Sequence, residues 1–140
     1  RKALIDNNMD KFIHVFGSLD TITTPLFFIC GADIFDGLTW LRYAYHKGAT
    51  VYQQNAWADT MFIDRKDGYA WLFTFMNNYN YLKKLTRQMK IFANTKDFKA
   101  FDSEEEYVKK GGIIKKIYEA LQVNWVEVTY GWQRRLLVEC

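Results

Sequence analysis

The sequence has few of the residues that build disulfide-linked or membrane-spanning frameworks. It contains two cysteines and one proline in 140 residues, and its longest apolar run, 25–30, is far shorter than the roughly 20 residues of a membrane-spanning helix. Cys30 and Cys140 offer neither a disulfide framework nor a metal-binding spacing. A polar segment follows the first five residues at once, which excludes a secretory signal there. We therefore expect a cytoplasmic protein that does not enter a membrane.

Motifs of several large enzyme classes are also missing. The sequence has no glycine-rich phosphate loop, Walker motif, nucleophile-elbow serine or Cys-Xaa-Xaa-Cys pair. Its composition, 49% hydrophobic and 25% charged, is that of one globular domain, and the net charge of +3 permits a nucleic-acid partner without requiring one. Because the chain starts without Met and stops after the apolar 136–138, we expect both ends to be cuts through a larger protein.

Hydrophobic patterning predicts a strand–helix–strand unit in the first third. Residues 12–16 form a β-branched and aromatic run typical of a buried strand, and 20–30 indicates a helix that Gly31 ends. Residues 33–35 then predict a short strand. A strand, helix and strand at this spacing imply a parallel sheet, and hence an α/β fold.

The rest of the chain is predicted to be mostly helical. A helix-like run follows from Leu38 to Ala44, then a strand piece at 50–53 and a loop at 55–68. Apolar residues recur every three or four positions in the predicted helix 69–93, namely at 72, 75, 79, 82, 85, 89 and 92. Further along, the sequence predicts a capping box at 103–106 with a helix to Lys110, a break at Gly111-Gly112, a helix at 113–121, and strands at 125–130 and 134–138.

Two carboxylates mark the end of the second predicted strand. Asp36 follows it directly, where an α/β barrel carries its reactive groups, and a carboxylate there suits nucleophilic attack at a sugar C1′. The residues alone favour another role, as the cap of the helix that begins near Leu38. We expect Asp33 and His14 to be structural residues near the site, Asp33 through its hydrogen bonds and His14 as a histidine of the strand core, and we expect His46 to be solvated.

Basic and aromatic residues alternate after this strand end. Such a set suits phosphate contact combined with base stacking, and an ordinary solvated surface is the equal alternative. Its members are Arg42, Tyr43, Tyr45, Lys47, Tyr52, Trp57, Arg65 and Lys66. A second basic set, which the residues favour as a plain helix surface, comprises Lys83, Lys84, Arg87 and Lys90.

These motifs resemble the tRNA-guanine transglycosylase family. Ile13-His-Val-Phe-Gly17 and Gly31-Ala-Asp-Ile-Phe-Asp36 are similar to the last two strands of that family's barrel, above all to the archaeal His-Leu-Phe-Gly and Gly-Val-Asp-Xaa-Phe-Asp-Ser motifs. The segment 77–101 is similar to the family's His-Asn helix and its Phe-Xaa-Xaa-Phe ending. The resemblance covers roughly residues 10–101.

The resemblance implies an α/β fold in which 1–101 is the C-terminal part of a TIM-type (β/α)8 barrel and 102–140 is a mostly helical extension. It implies exchange of a guanine in nucleic acid for a 7-deazaguanine, with Asp36 as the covalent nucleophile. Arg42 matches a nucleic-acid-contacting arginine of the bacterial members, and Lys47 is expected to contact phosphate beside it. The implied partners are DNA or tRNA and the 7-deazaguanine base, with a homo- or hetero-oligomer possible.

The sequence departs from the family at its structural zinc site. The family's zinc is held by three cysteines and the His of His-Asn, whereas here 61–71 contains no cysteine and Asn77 stands in place of the His. We therefore expect no zinc and no cofactor. A shortened, zinc-free sequence fits the DNA-modifying DpdA-like branch better than a tRNA enzyme. The strands that would carry the base pocket are not in this sequence, so we expect these 140 residues to be inactive alone.

Overall fold

A computed structural model describes residues 1–60 and 69–122, which form helices and two small sheets. The elements are α1 (Lys2–Asp6), β1 (His14–Val15), α2 (Thr23–Ile29), β2 (Ile34–Phe35), α3 (Thr39–Arg42), β3 (Tyr43–His46), β4 (Ala49–Tyr52), α4 (Gln53–Asp59), α5 (Tyr69–Thr95), a 3-10 helix (Phe98–Phe101) and α6 (Lys110–Gln122). The mixed α/β class predicted from the sequence is confirmed. The predicted strands at 125–130 and 134–138, and the basic residues Arg65 and Lys66, lie outside the described residues.

The predicted strand–helix–strand unit is present, with β1 and β2 paired in parallel and α2 between them. The prediction that 12–16 is buried is wrong. Ile13 and Val15 pack against the core, but Phe12 and His14 are exposed and Phe16 is 76% exposed. Because successive side chains of a strand point to opposite faces, a strand covered on one face buries only every second residue.

Hydrogen bonds of Asp20 mark the start of α2, and the backbone conformation of Gly31 marks its end. The Asp20 carboxylate accepts hydrogen bonds from the backbone N–H groups of Ile22 and Thr23, both at 2.9 Å, which satisfies donors at the helix start. At the other end Gly31 has φ +97°, and the N–H of Ala32 donates to the carbonyl of Phe27 at 3.0 Å. This is a Schellman ending, so Gly31 stops the helix as predicted and returns the chain to β2.

A β-hairpin replaces part of the helix predicted after Asp36. Helix α3 has only four residues, and β3 and β4 then pair antiparallel, with Tyr43 opposite Tyr52. Lys47 and Gly48 both have positive φ, as a type I′ turn requires, and the rings of Tyr43 and Tyr52 lie 5.5 Å apart. The helix prediction through residue 44 was wrong because cross-strand aromatic pairing outweighs a weak helical pattern. The predicted loop after residue 55 is helical up to Asp59.

Helix α5 confirms the long helix, but its buried face is predicted only in part. Leu85, Met89 and Phe92 are buried as expected, whereas Leu72 and Tyr79 are exposed. In that first half the inward positions are instead occupied by Ala70, Thr74 and Asn78. Neither α5 nor another helix within the described ranges is long and apolar enough to cross a membrane.

The capping-box prediction at 103–106 is wrong, and so is the break at Gly111-Gly112. Helix α6 begins at Lys110 and includes both glycines, and the Asp102 carboxylate accepts a hydrogen bond from the Gly111 N–H at 2.8 Å. Glu106 is instead drawn into the interior, where it pairs with Lys84 and Lys110. A Cβ on Gly111 would lie 2.2 Å from the carbonyl oxygen of Phe98, so this glycine permits close packing of two helices.

One hydrophobic core joins β1, α2, β2, α3, β3, α5, the 3-10 helix and α6. Its fully buried members come from both sides of the predicted boundary at residue 101, since Phe101 and Ile114 lie in the same cluster as Ile29, Phe35 and Leu85. Phe92 contacts the rings of both Phe98 and Phe101. β2 is therefore packed on the core through Phe35, while the side chain of Asp36, which follows β2, is half exposed.

Candidate functional site

Asp36 lies immediately after β2, beside the end of β1, at the carboxyl ends of two parallel strands. Its side chain is 49% exposed. The N–H of Gly17 donates to Oδ1 at 3.1 Å, and Nε2 of His14 lies 3.2 Å from Oδ2. Each carboxylate oxygen thus has one protein partner, and the group still faces solvent.

Two glycines bring the strand ends into contact. Gly37 has φ +154°, and a Cβ there would lie 2.9 Å from the carbonyl carbon of Gly17 and 3.1 Å from the Ser18 nitrogen. Gly17 itself has φ +75°. A side chain at position 37 would push these backbones apart, so the glycine allows Asp36 to reach the Gly17 N–H.

Asp36 does not cap the helix that follows it. Helix α3 begins at Thr39, its N-cap residue is Leu38, and no side chain donates or accepts a capping hydrogen bond there. The helix-cap interpretation is therefore wrong, and the carboxylate is directed to Gly17 and His14 instead. A half-exposed carboxylate fixed on a strand end is placed to act as a nucleophile or as a general base.

Asp33 has a different environment, although it is three residues away. Its carboxylate accepts hydrogen bonds from the Arg1 guanidinium and, at 2.8 Å, from the backbone N–H of Ile13. Arg1 also donates to the carbonyl oxygen of Gly31 at 2.8 Å. The hydrogen bonds of Asp33 therefore connect the N-terminal segment to β1 and β2. They are structural contacts.

The sequence predicted that His14 belongs to the buried core, and this prediction is wrong. His14 is exposed, its Nε2 lies 3.2 Å from Oδ2 of Asp36, and its ring centroid lies 3.9 Å from that of Phe16. The missed signal is strand register: His14 is opposite Ile34, and alternation places Ile34 and Asp36 on the same face. The sequence predicted His14 near the site but not its contact with Asp36, because the pairing of β1 with β2 was not specified to the residue.

The basic residues near the hairpin differ in whether another side chain pairs with them. Arg42 is exposed in the last turn of α3. Lys47 pairs with Asp59 at 2.6 Å, and the same carboxylate oxygen contacts His46 at 2.7 Å, so the prediction of a simply solvated His46 is wrong. The hydrogen bond from Lys47 lowers the pKa of Asp59, and the same bond raises the pKa of Lys47.

The aromatic residues of this set are divided in the same way. Tyr52 is 63% exposed, and Trp57 is partly buried with its indole N–H donating to Thr74 at 2.9 Å. Tyr45 is buried and its hydroxyl donates to the carbonyl oxygen of Leu19. Tyr45 is therefore a core residue and cannot stack on a base, contrary to its place in the predicted set.

The second basic set lies on α5. Lys84 pairs with the buried Glu106 at 2.7 Å, and the Nζ of Lys83 lies 4.3 Å from the ring centroid of Tyr79. Arg87 and Lys90 are exposed. These contacts are those of a helix surface that also packs against the following loop.

Two asparagines of α5, Asn77 and Asn78, lie on the part of the helix that faces the hairpin. Asn78 is fully buried; its amide oxygen accepts from the Tyr45 N–H at 2.8 Å and its amide nitrogen donates to the Tyr43 carbonyl at 2.7 Å. Asn77 beside it is exposed. Within 1–60 and 69–122, no group of three or more His, Cys, Asp or Glu side chains could hold a metal ion. Asn78 instead fastens α5 to the hairpin.

Comparison with known proteins returns no match among family models, curated proteins or solved structures. The site must therefore be interpreted from its own residues. The site consists of the half-exposed Asp36 at the end of a parallel strand and of His14, which contacts it. Exposed basic and aromatic side chains lie on α3 and on the hairpin that follows it.

Proposed function

We propose that this chain is the C-terminal part of a (β/α)8 barrel and belongs to a transglycosylase that replaces a guanine in nucleic acid, preferably DNA, by a 7-deazaguanine. Asp36 is its covalent nucleophile. The six other strands and the base pocket lie in polypeptide outside these 140 residues. No metal or cofactor takes part in the steps assigned to this chain.

The position of Asp36 is the observation that carries this proposal. Reactive groups of α/β barrels stand at the carboxyl ends of the parallel strands, and Asp36 has that place beside β1. Its carboxylate contacts the Gly17 N–H and His14, and it does not cap the helix that follows. A solvent-facing acid fixed by a rigid scaffold is what attack on a ribose carbon needs.

The chemistry requires two displacements at the same carbon. A carboxylate oxygen of Asp36 attacks C1′, the C1′–N9 bond breaks, and guanine departs with the electron pair and takes up a proton. The 7-deazaguanine then loses its N9 proton, attacks C1′, and the bond to Asp36 breaks and returns the carboxylate. In this scheme Arg42 contacts the phosphate backbone directly, while Lys47 does so only by sharing or leaving Asp59.

Covalent trapping in the full-length protein tests the proposal. Incubation with guanine-containing DNA or tRNA should give a denaturant-resistant protein–nucleic-acid adduct, and Asp36→Asn should abolish it. Asp6→Asn is the matched control, because Asp6 is a similarly exposed carboxylate with an ion-pair partner, Lys2. An adduct that survives in Asp36→Asn at the wild-type level would remove Asp36 from the reaction. A tRNA adduct without a DNA adduct would assign the tRNA-acting alternative.

A second candidate is a non-catalytic barrel subunit that binds nucleic acid. The exposed Arg42, Tyr52 and Tyr107 favour it, since cationic and aromatic side chains together bind single strands without chemistry. It predicts DNA or RNA affinity that falls steeply with salt while no adduct forms. Arg42→Gln should then weaken binding and reduce the salt slope by about one counterion. Binding without salt dependence would argue against both candidates.

A further inference from the structure

We infer that the outward face of α5 binds the phosphates of one strand of a nucleic-acid duplex through Lys83, Arg87 and Lys90, which we call the basic row. The inference rests on the proposed function in taking nucleic acid as the partner, but it concerns a different element from those of Asp36 and Arg42. The basic row holds the duplex that flanks the reacting nucleotide and reads no base.

Helix α5 carries charge of one sign. Its 27 residues include four basic side chains and no aspartate or glutamate. At the frequency of the whole chain, 16 acidic residues in 140, a helix of this length would have about three. A solvated helix surface usually mixes both signs, because opposite charges at i and i+4 stabilise it. A face of one sign therefore indicates an anionic partner.

Three of the four basic side chains of α5 remain for such a partner. Lys83, Arg87 and Lys90 are exposed, and within residues 1–60 and 69–122 no carboxylate pairs with them. Lys84 is not a member of the row, because it pairs with the buried Glu106 at 2.7 Å. The Nζ of Lys83 lies 4.3 Å from the ring centroid of Tyr79, which is itself 43% exposed, so this contact keeps the ammonium at the surface.

The geometry of the basic row matches a phosphate backbone. At about 100° per residue, its three members lie within about 60° of one another around the helix, and at about 1.5 Å per residue they span about 10 Å along it. The opposite side of the same stretch is buried through Leu85 and Met89. One strand of a duplex carries a phosphate about every 3.4 Å, so about three phosphates lie within the length of the row.

The basic row lacks the apolar side chains that would favour a membrane surface. A helix that lies in a lipid interface inserts Trp, Phe or Leu beside its cations. Between positions 83 and 90 the members of the row are the only exposed residues. The exposed Leu72 and Met76 lie about two turns or more before Lys83. The stretch therefore offers charge without an apolar anchor, as binding to a phosphate backbone requires.

Two triple variants of the full-length protein test the inference. Lys83→Gln, Arg87→Gln and Lys90→Gln together should weaken binding to a duplex of A·T pairs about 100-fold at about 0.1 M salt, and should lower the slope of log K against log salt by about two to three. The control combines Lys2→Gln, Lys115→Gln and Lys116→Gln, which removes three charges from exposed lysines of α1 and α6, helices that also carry an acidic partner. It should stay within about threefold of wild type.

The A·T duplex separates this contact from base exchange, because it contains no guanine. Fluorescence anisotropy with labelled duplex measures the affinity, and thermal unfolding checks that both variants fold. Equal losses in the two triple variants, or no binding by wild type, would overturn the inference. Binding by wild type to phosphatidylserine vesicles but not to the duplex would assign the row to a membrane surface instead.

The inference and the proposed function can fail separately. A wild-type protein that binds the A·T duplex through the basic row, but forms no adduct with guanine-containing nucleic acid, would refute the transglycosylase and retain the contact. A row variant that binds the duplex with wild-type affinity and still forms the adduct would refute the contact and retain the transglycosylase.

Discussion

Glu106 is a buried carboxylate that joins three parts of the chain. It is 7% exposed and pairs with Lys84 of α5 at 2.7 Å and with the fully buried Lys110 of α6 at 3.0 Å. A Cβ on Gly48, in the hairpin turn, would lie 2.9 Å from its Oε2. Burial by itself would raise the pKa of Glu106, but the hydrogen bonds from the two lysines outweigh it, so the pKa lies below its ordinary value.

Glu106→Gln should be strongly destabilising. The substitution keeps the shape but leaves the Lys110 ammonium buried without its counter-charge, and breaking a buried pair in this way costs about 3 kcal/mol. Urea unfolding at neutral pH measures the loss. Glu105→Gln, at the exposed neighbouring position, is the control and should change the free energy of unfolding by less than about 0.5 kcal/mol. Equal effects of the two substitutions would mean that Glu106 is not a significant ion-pair partner.

The two glycines in the first turn of α6 provide a matched pair at the scale of the element. A Cβ at position 111 would lie 2.2 Å from the Phe98 carbonyl oxygen, whereas one at position 112 would meet nothing within 4 Å. Gly111→Ala should therefore destabilise the protein by about 1–3 kcal/mol through overpacking. Gly112→Ala should be neutral or stabilise it by up to about 1 kcal/mol, because alanine loses less backbone entropy in a helix. Thermal unfolding of both variants decides, and a stable Gly111→Ala variant would contradict the packing of α6 on the 3-10 helix.

Elements with a strong local signal were predictable from the sequence, and those set by distant partners were not. Gly31 ends α2 because a left-handed residue is needed there, and the apolar spacing around Leu85 and Met89 identifies α5. The hairpin was missed because β3 is defined by its pairing with β4. The capping box failed because Glu106 makes ion pairs with α5 and α6, which outweigh its local role. At the site, the sequence predicted Asp36 and a structural His14 near it, but not the contact between the two side chains, since that contact depends on strand register.

The whole molecule should lose stability in acid. Asp20 is half-buried, and burial would raise its pKa, but hydrogen bonds from Thr23, Thr50 and Ile22 lower it below the ordinary value of 3.8. The pKa of Glu106 lies below 4.5 for the reasons above. Since both folded-state values are lowered, the stabilisation is complete above the unfolded-state values and disappears as the pH falls through the folded-state ones.

Comparing Glu106→Gln with wild type across pH separates the contribution of Glu106 to acid sensitivity from that of Asp20. The destabilisation caused by the substitution should be largest at neutral pH and should shrink as the pH falls below about 4.5 and through the lowered folded-state pKa of wild-type Glu106. Urea unfolding at a series of pH values measures it. The decrease in the free energy of unfolding that remains in the variant at low pH is then due to Asp20 and the other carboxylates. A penalty that stays constant down to about pH 3 would show that the charge of Glu106 does not contribute to stability.

The parallel pair of β1 and β2 also bears on how a free segment of this sequence would behave in solution. Within the described residues β1 and β2 pair only with each other, so the outer side of each strand is the side on which a further strand could pair, and the exposed Phe16 lies beside that sheet. Such sides are templates for another copy of the same strand. Expressed by itself, the segment would be prone to self-association and precipitation, and its colloidal stability would improve with any polypeptide that occupies those sides.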